Sequence, residues 1–184
     1  MSFINKYIDS LNAQSTKNFD LLILNDGYKH DIPDNKINIH IVNVSNNQTP
    51  AQIREFGITY AIKKNYNNII FTDTDDYYSN NYVESLISGL KNNDFVYSNI
   101  VPVDNQGSKI NYNFTIPNET KQYEDIMKYN FVGLGCSAIK SETIKDINIP
   151  SDIIAVDWYL FTILLLKGFN GKRAISILEE QIDN

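Results

Sequence analysis

The chain has 184 residues, with 16 Lys or Arg against 22 Asp or Glu, a net charge of −6 and an isoelectric point near 4.8. That length suits one domain with a sizeable core, and 42% hydrophobic with 21% charged residues excludes a wholly disordered chain. The acidic balance argues against a nucleic-acid binder and against electrostatic docking on anionic lipid, because both need a basic surface.

One cysteine, Cys136, cannot form an internal disulfide, which suits a reducing compartment. No stretch approaches the roughly 18–20 apolar residues of a membrane span, and the longest apolar run, Leu160 to Leu166, is broken by Thr162. The N-terminus lacks a basic-then-apolar signal pattern. These features point to a soluble, cytoplasmic protein. Triplets such as Asn113-Phe114-Thr115 follow from the abundance of Asn and carry no glycosylation argument.

In chain order, Phe3, Ile4, Tyr7, Ile8 and Leu11 share one helical face, so the spacing predicts a helix from Phe3 to Gln14. Phe19 to Leu24 reads as a buried strand running into a turn at Asn25-Asp26-Gly27, where Gly27 is free to take positive φ. The alternation of Ile37, Ile39 and Ile41 predicts a second strand. Thr49-Pro50-Ala51-Gln52 is a helix start with a capping box, and that helix runs to about Asn65. Asn68 to Thr72 is a strand, Asn80 to Lys91 a helix, and Asp94 to Val101 a strand. Alternating helix and strand indicate an α/β sheet, largely parallel. The second part is less regular. It holds a hairpin around Asn105-Gln106-Gly107, a short helix near Glu119 to Tyr129, and the Gly-rich stretch Val132-Gly133-Leu134-Gly135. A last helix, Asp152 to Lys167, stops at Gly168, and Arg173 to Leu178 forms a closing strand.

The sharpest feature is Asp73-Thr74-Asp75-Asp76, three carboxylates straight after the apolar Ile69-Ile70-Phe71. Like charges so close raise one another's pKa unless a cation neutralises them. Oxygen-only donors suit a hard divalent ion such as Mg or Mn. Ligands of open α/β sheets sit at the carboxyl ends of strands, which is where these residues fall. The plainer reading is that the aspartates cap the next helix, with Asp76 or Ser79 as N-cap.

The order of motifs resembles family 2 glycosyltransferases. Ser10-Leu11…Gln14 and Asn18 to Gly27 resemble that family's first helix and its strand ending in Asp-Asp-Gly, with Asn25 in place of the first Asp. Arg54-Glu55-Phe56-Gly57-Ile58…Ala61 looks like its Arg-Asn-x-Gly-Ile…Ala segment, with Glu55 for Asn. Phe71 to Asp76, followed by Val83-Glu84, matches the Asp-x-Asp-Asp strand end and the helix after it, and Asn80 stands where the family often has Pro. Asp94 to Ser98 and Asp104 to Gly107 resemble the next strand and hairpin. Val156-Asp157-Trp158…Leu164…Lys167-Gly168-Phe169 resembles the Glu-Asp…Leu…Gly-Tyr helix near the acceptor site, with Val156 for Glu.

The resemblance implies a GT-A-like, Rossmann-like fold over residues 1–184, with a nucleotide-sugar half (1–100) and an irregular acceptor half (101–184). It implies transfer from a nucleotide sugar, UDP-linked, to an acceptor hydroxyl with inversion, and a role in polysaccharide synthesis with a saccharide or lipid-linked acceptor. Carried over by position, Asp26, Arg54 and Asp73 would hold the nucleotide, and Asp75 and Asp76 a Mn or Mg ion. Asp157 would be the general base. Its plainer reading is a carboxylate favoured in the first turn of a helix. The family also begins with a strand, internal to the sheet, ahead of the first helix. This sequence starts in the helix region, which leaves open a shortened chain, a truncated gene, or a rearranged sheet.

Two alternatives stand beside this reading. One is a transferase-like chain without activity, motivated by Asn25, Glu55, Val156 and that strand. The other is a haloacid-dehalogenase-type phosphatase, which also places Asp-x-Asp after an apolar strand, though Asp76-Tyr77-Tyr78 departs from its pattern. His30 and His40 have no Cys or His at ligand spacing and read as structural, and Cys136 as an inert buried thiol. Gly133 and Gly135 lack a following Lys-Ser/Thr, which excludes a P-loop and favours a tight turn. Tyr77 and Tyr78 fit sugar stacking and plain packing equally.

Overall fold

The structure is a computed structural model that describes residues 3–29, 32, 36–45, 47–104, 108–111, 116–120 and 123–174. The elements are α1 (Phe3–Asn12), β1 (Asp20–Asn25), β2 (Asn38–Asn43), α2 (Pro50–Lys63), β3 (Asn68–Ile70), α3 (Tyr82–Leu90), β4 (Phe95–Tyr97), β5 (Glu119–Thr120), α4 (Glu124–Met127), β6 (Ser137–Lys140), α5 (Ser141–Ile144), α6 (Val156–Leu166) and β7 (Gly171–Arg173).

Local chemistry sets the clearest boundaries. Thr49 accepts the Gln52 amide while the Gln52 side chain accepts the Thr49 amide, so the capping box forms with Pro50 in the first turn of α2. Gly168 takes φ +86° past α6. Its N–H donates to Leu165 O and that of Phe169 to Leu164 O, closing the helix with a Schellman turn. Gly27 takes φ +88° after β1, as its place in the turn requires.

Period-two alternation then builds two cores on opposite faces of one sheet. Phe95, Tyr97, Ile139 and Ile69 face α2 and α6, while Val96, Ala138 and Ile70 face α1 and α3. The sheet order is β3-β6-β4-β7-β5, and β1 pairs with β2 separately, in parallel.

Several expectations need correction. The five-stranded sheet is mixed: β6 runs antiparallel to both neighbours, and β5 antiparallel to β7. β6 begins beside the carboxyl ends of β3 and β4, where the Phe71 N–H donates to Ser137 O and the Ser98 N–H to Cys136 O, so it runs back against both. Residues 119–120, expected to open a helix, are strand, and the helix is only Glu124–Met127. β7 starts earlier than expected, at Gly171, so that Phe95 to Tyr97 pair with Gly171 to Arg173. The stretch 175–178 lies outside the described residues, as do His30, the glycosylation triplet and the tip at 105–107. The flanks of that tip do pair, Val103 with Lys109.

β1 and β3 belong to separate sheets, and among the described residues no backbone hydrogen bond joins them. The sheet does not rearrange to bring their edges together. Yet both strands lie in one layer. Leu21, Ile23 and Ile70 share the core under α1 and α3, and α2 covers the other face, where Gly57 packs on Leu24. The Tyr66 hydroxyl donates to the Asp20 carboxylate and so holds the starts of β1 and β3 side by side. His40 lies 3.6 Å from the same carboxylate and tilts against Tyr60, a packing role at the strand start. No helix among the described residues is long and apolar enough to cross a membrane.

Candidate active site

The strand β3 ends two residues before Thr72, and its continuation is fixed on one side by the Phe71 N–H, which donates to Ser137 O (2.9 Å). On the other side the Tyr7 hydroxyl meets Thr72 Oγ1 at 2.7 Å. Asp73 to Asp76 then turn back, with the Asp76 N–H on Asp73 O at 3.2 Å. The helix after this loop starts only at Tyr82, and its N-cap position, Asn81, makes no side-chain cap bond. Gln14, two residues past the end of α1 and buried at 2% exposure, takes that role: its Oε1 accepts the Val83 N–H and its Nε2 donates to Ser79 O. The expectation that Asp76 or Ser79 caps α3 is therefore corrected, and none of the three carboxylates is engaged in capping.

Asp73 is the hub of the candidate residues. Arg54, half-buried on α2, places Nη2 3.6 Å from Asp73 Oδ1. Burial pushes the Asp73 carboxyl above its ordinary range; Arg54 pulls it back, and Asp75 and Asp157 push it further up. Asp157, in the first turn of α6, thus lies within electrostatic reach of Asp73, and its Oδ1 also accepts the Trp158 N–H at 2.8 Å. That bond fits the plainer helix-start reading, which the geometry accommodates alongside any chemical one. Asp26 sits exposed in the turn after β1, and no hydrogen bond or ion pair links it to the other candidates. Asn25 explains its own departure from Asp. Its Nδ2 donates to Asn43 Oδ1 and Tyr28 O, and its Oδ1 accepts the Tyr28 N–H, so the turn needs a donor there.

The Asp76 carboxyl is also raised, by burial first and then by Asp75 and Asp73. A group raised in the folded state stabilises the fold while protonated, and that contribution is lost as pH climbs through its folded value. Asp76→Asn cannot ionise, so at neutral pH it will raise Tm by about a degree or two, the gain being limited by solvent around a half-exposed group. The gain will vanish in acid, where both forms are uncharged. Calorimetric scans at the two pH values check this.

No group of three His, Cys, Asp or Glu side chains positioned to cage a metal ion occurs among the described residues. Sequence reasoning missed the neighbours of Asp73: Gly135, in the 3-10 turn Leu134–Cys136, and the buried Tyr78. Tyr78 packs 4.4 Å from the Tyr82 ring, which settles its packing role, while Tyr77 is exposed. Cys136 is buried and burial pushes its thiol up to about 11, as an inert thiol requires.

The model of the family described as "Glycosyl transferase family 2" matches residues 2–147. The chain belongs to glycosyl transferase family 2. Membership leaves the phosphatase reading without a basis. The GT-A fold is shared with crystal structures of S. aureus TarS 1–349. The complex with UDP-GlcNAc is 16% identical, with a TM-score of 0.65 over 94% of this chain and 55% of that one. A second TarS structure, without a ligand in its description, gives 12% identity and 0.61 over 95% and 54%. The complex with UDP gives 14% and 0.58 over 98% and 60%. The chain spans little more than half the length of these structures. No curated protein matches it.

Proposed function

We propose that this family 2 chain moves a sugar from a UDP-linked donor to an acceptor hydroxyl, with inversion, and that the donor sits over the loop Asp73 to Asp76. The observation that carries the reading is convergence: Arg54 from α2 lies 3.6 Å from the Asp73 carboxylate after β3, and Asp157 from α6 is within electrostatic reach of it, at the carboxyl end of a strand. The binding of UDP and UDP-GlcNAc by the TarS neighbours supports the choice of donor.

In this reading Arg54 and Asp73 orient the nucleotide, and Asp26 approaches it from the turn after β1. Asp157 takes the proton from the acceptor hydroxyl as its oxygen bonds to the anomeric carbon and the diphosphate departs. The donor set fits a hard cation shared with substrate. Mg and Mn are held by one or two carboxylates plus phosphate oxygens, so a three-residue cage is not required. Asp75 and Asp76 would hold that ion, which when bound neutralises charge on the leaving diphosphate. The acceptor is a saccharide or lipid-linked sugar received by the half from Val101 onward.

Calorimetric titration of UDP, with and without Mn, tests the donor site. Binding will depend on Mn and fall by about tenfold or more in Asp75→Ala. Binding that ignores both the metal and the substitution removes the cation from the reading. A second reading, a nucleotide-binding chain without transfer, draws on the departures from the family pattern at Asn25, Glu55 and Val156. Transfer of labelled sugar by the purified chain dismisses it.

A further inference from the structure

We propose that Gly135 and Tyr78 are positioning residues for Asp73, fixing its carboxylate and its backbone in the pose that meets the donor. This rests on the donor-site reading above.

The bond from Phe71 to Ser137 draws the turn Leu134–Cys136 beneath the loop after β3. Gly135 then lies so close to Asp73 that a Cβ on it would overlap Oδ2 and sit 2.9 Å from Cγ. The obstacle is the end of a short side chain, not main chain. A methyl group at 135 would therefore turn the carboxylate away and leave the fold in place. The direction matters, because the other carboxylate oxygen faces Arg54 at 3.6 Å.

Tyr78 fixes the backbone of the same residue. Its hydroxyl accepts the Asp73 N–H at 2.9 Å and donates to Gly135 O at 3.1 Å. One phenol thus ties the loop to the turn. Tyr82 reaches the same carbonyl at 3.4 Å, and its ring packs on that of Tyr78. A carboxylate that must meet ligand atoms gains from such outer support, since its own rotamer is otherwise free.

The test compares Gly135→Ala and Tyr78→Phe with Gly89→Ala. In the last, the new Cβ meets Val96 Cγ1 at 2.8 Å, away from the site. UDP affinity with Mn is measured by calorimetry, Tm by scanning, and the Asp73 amide shift by NMR. Both site variants will lose about tenfold to a hundredfold in affinity, and Tyr78→Phe will move the Asp73 amide with or without nucleotide. Gly89→Ala will lower Tm and keep its affinity. Equal affinity in wild type and both site variants overturns the assignment, as does a loss no larger than that of the control. A wild-type chain that binds no UDP sinks the donor-site reading, and this assignment with it. Binding by wild type that both variants retain sinks the assignment alone.

Discussion

Asp157→Asn will reduce sugar transfer by about 10²–10⁴-fold, the usual contribution of a general base, with little change in UDP affinity. The amide keeps the shape of the side chain, and its oxygen can still accept the Trp158 N–H that Asp157 Oδ1 accepts at 2.8 Å. The start of α6 therefore stays as it is, and what disappears is the site for the proton. The substitution also removes one of the negative charges that push Asp73 up, so any effect on donor binding is in the favourable direction. A structural carboxylate at a helix start predicts the opposite pattern: a small loss of stability, roughly 1 kcal/mol or less, and transfer unchanged. Initial rates beside calorimetric UDP binding separate the two.

Phe161→Ala will damage the fold severely. Phe161 is fully buried on α6, one turn past Asp157, and its ring lies 5.0 Å from that of Phe95. Phe95 in turn is pressed against Gly171 of the neighbouring strand, where even a Cβ would run into the ring. The hole left by Phe161 cannot be closed from that side. Large-to-small changes of this kind cost about 3–5 kcal/mol, and for a chain of this size that lowers Tm by roughly 6–20 °C. Thermal unfolding followed by circular dichroism reads it directly. A drop of about 2 °C or less would mean that α6 settles into the space, and Asp157 would then move with it.

Legibility followed the range of the interaction. The capping box at Thr49 and Gln52, the stop at Gly168 and the turn at Gly27 are properties of a few adjacent residues, and each could be read from order alone. The run Asp73 to Asp76 stood out because three charges after an apolar strand are costly without a purpose. What escaped were features made by the fold. Ser137–Lys140 is a four-residue strand, buried on both faces, with no alternation to betray it and no sign of its direction. Glu119 and Thr120 pair with β7 across fifty residues, which no local propensity encodes. Gly135 looked like a turn residue, because its approach to Asp73 exists only once β6 lies beside β3. Gln14 could be matched to the family by position, but its service to α3 became visible only in three dimensions.

The two unjoined edges of β1 and β3 have a further consequence. In most sheets the loosest strands are at the rim, and the centre exchanges its amide hydrogens last. Here Phe95, Val96 and Tyr97 of β4 are sealed at 0% exposure, whereas every residue of β3 is only half-buried. β3 is the edge strand of the five-stranded sheet, and its half-buried backbone leads straight into the loop of carboxylates. Local opening there will cost less than unfolding the rest, and the unjoined, apolar edges of β1 and β3 are of the kind that recruit additional strands.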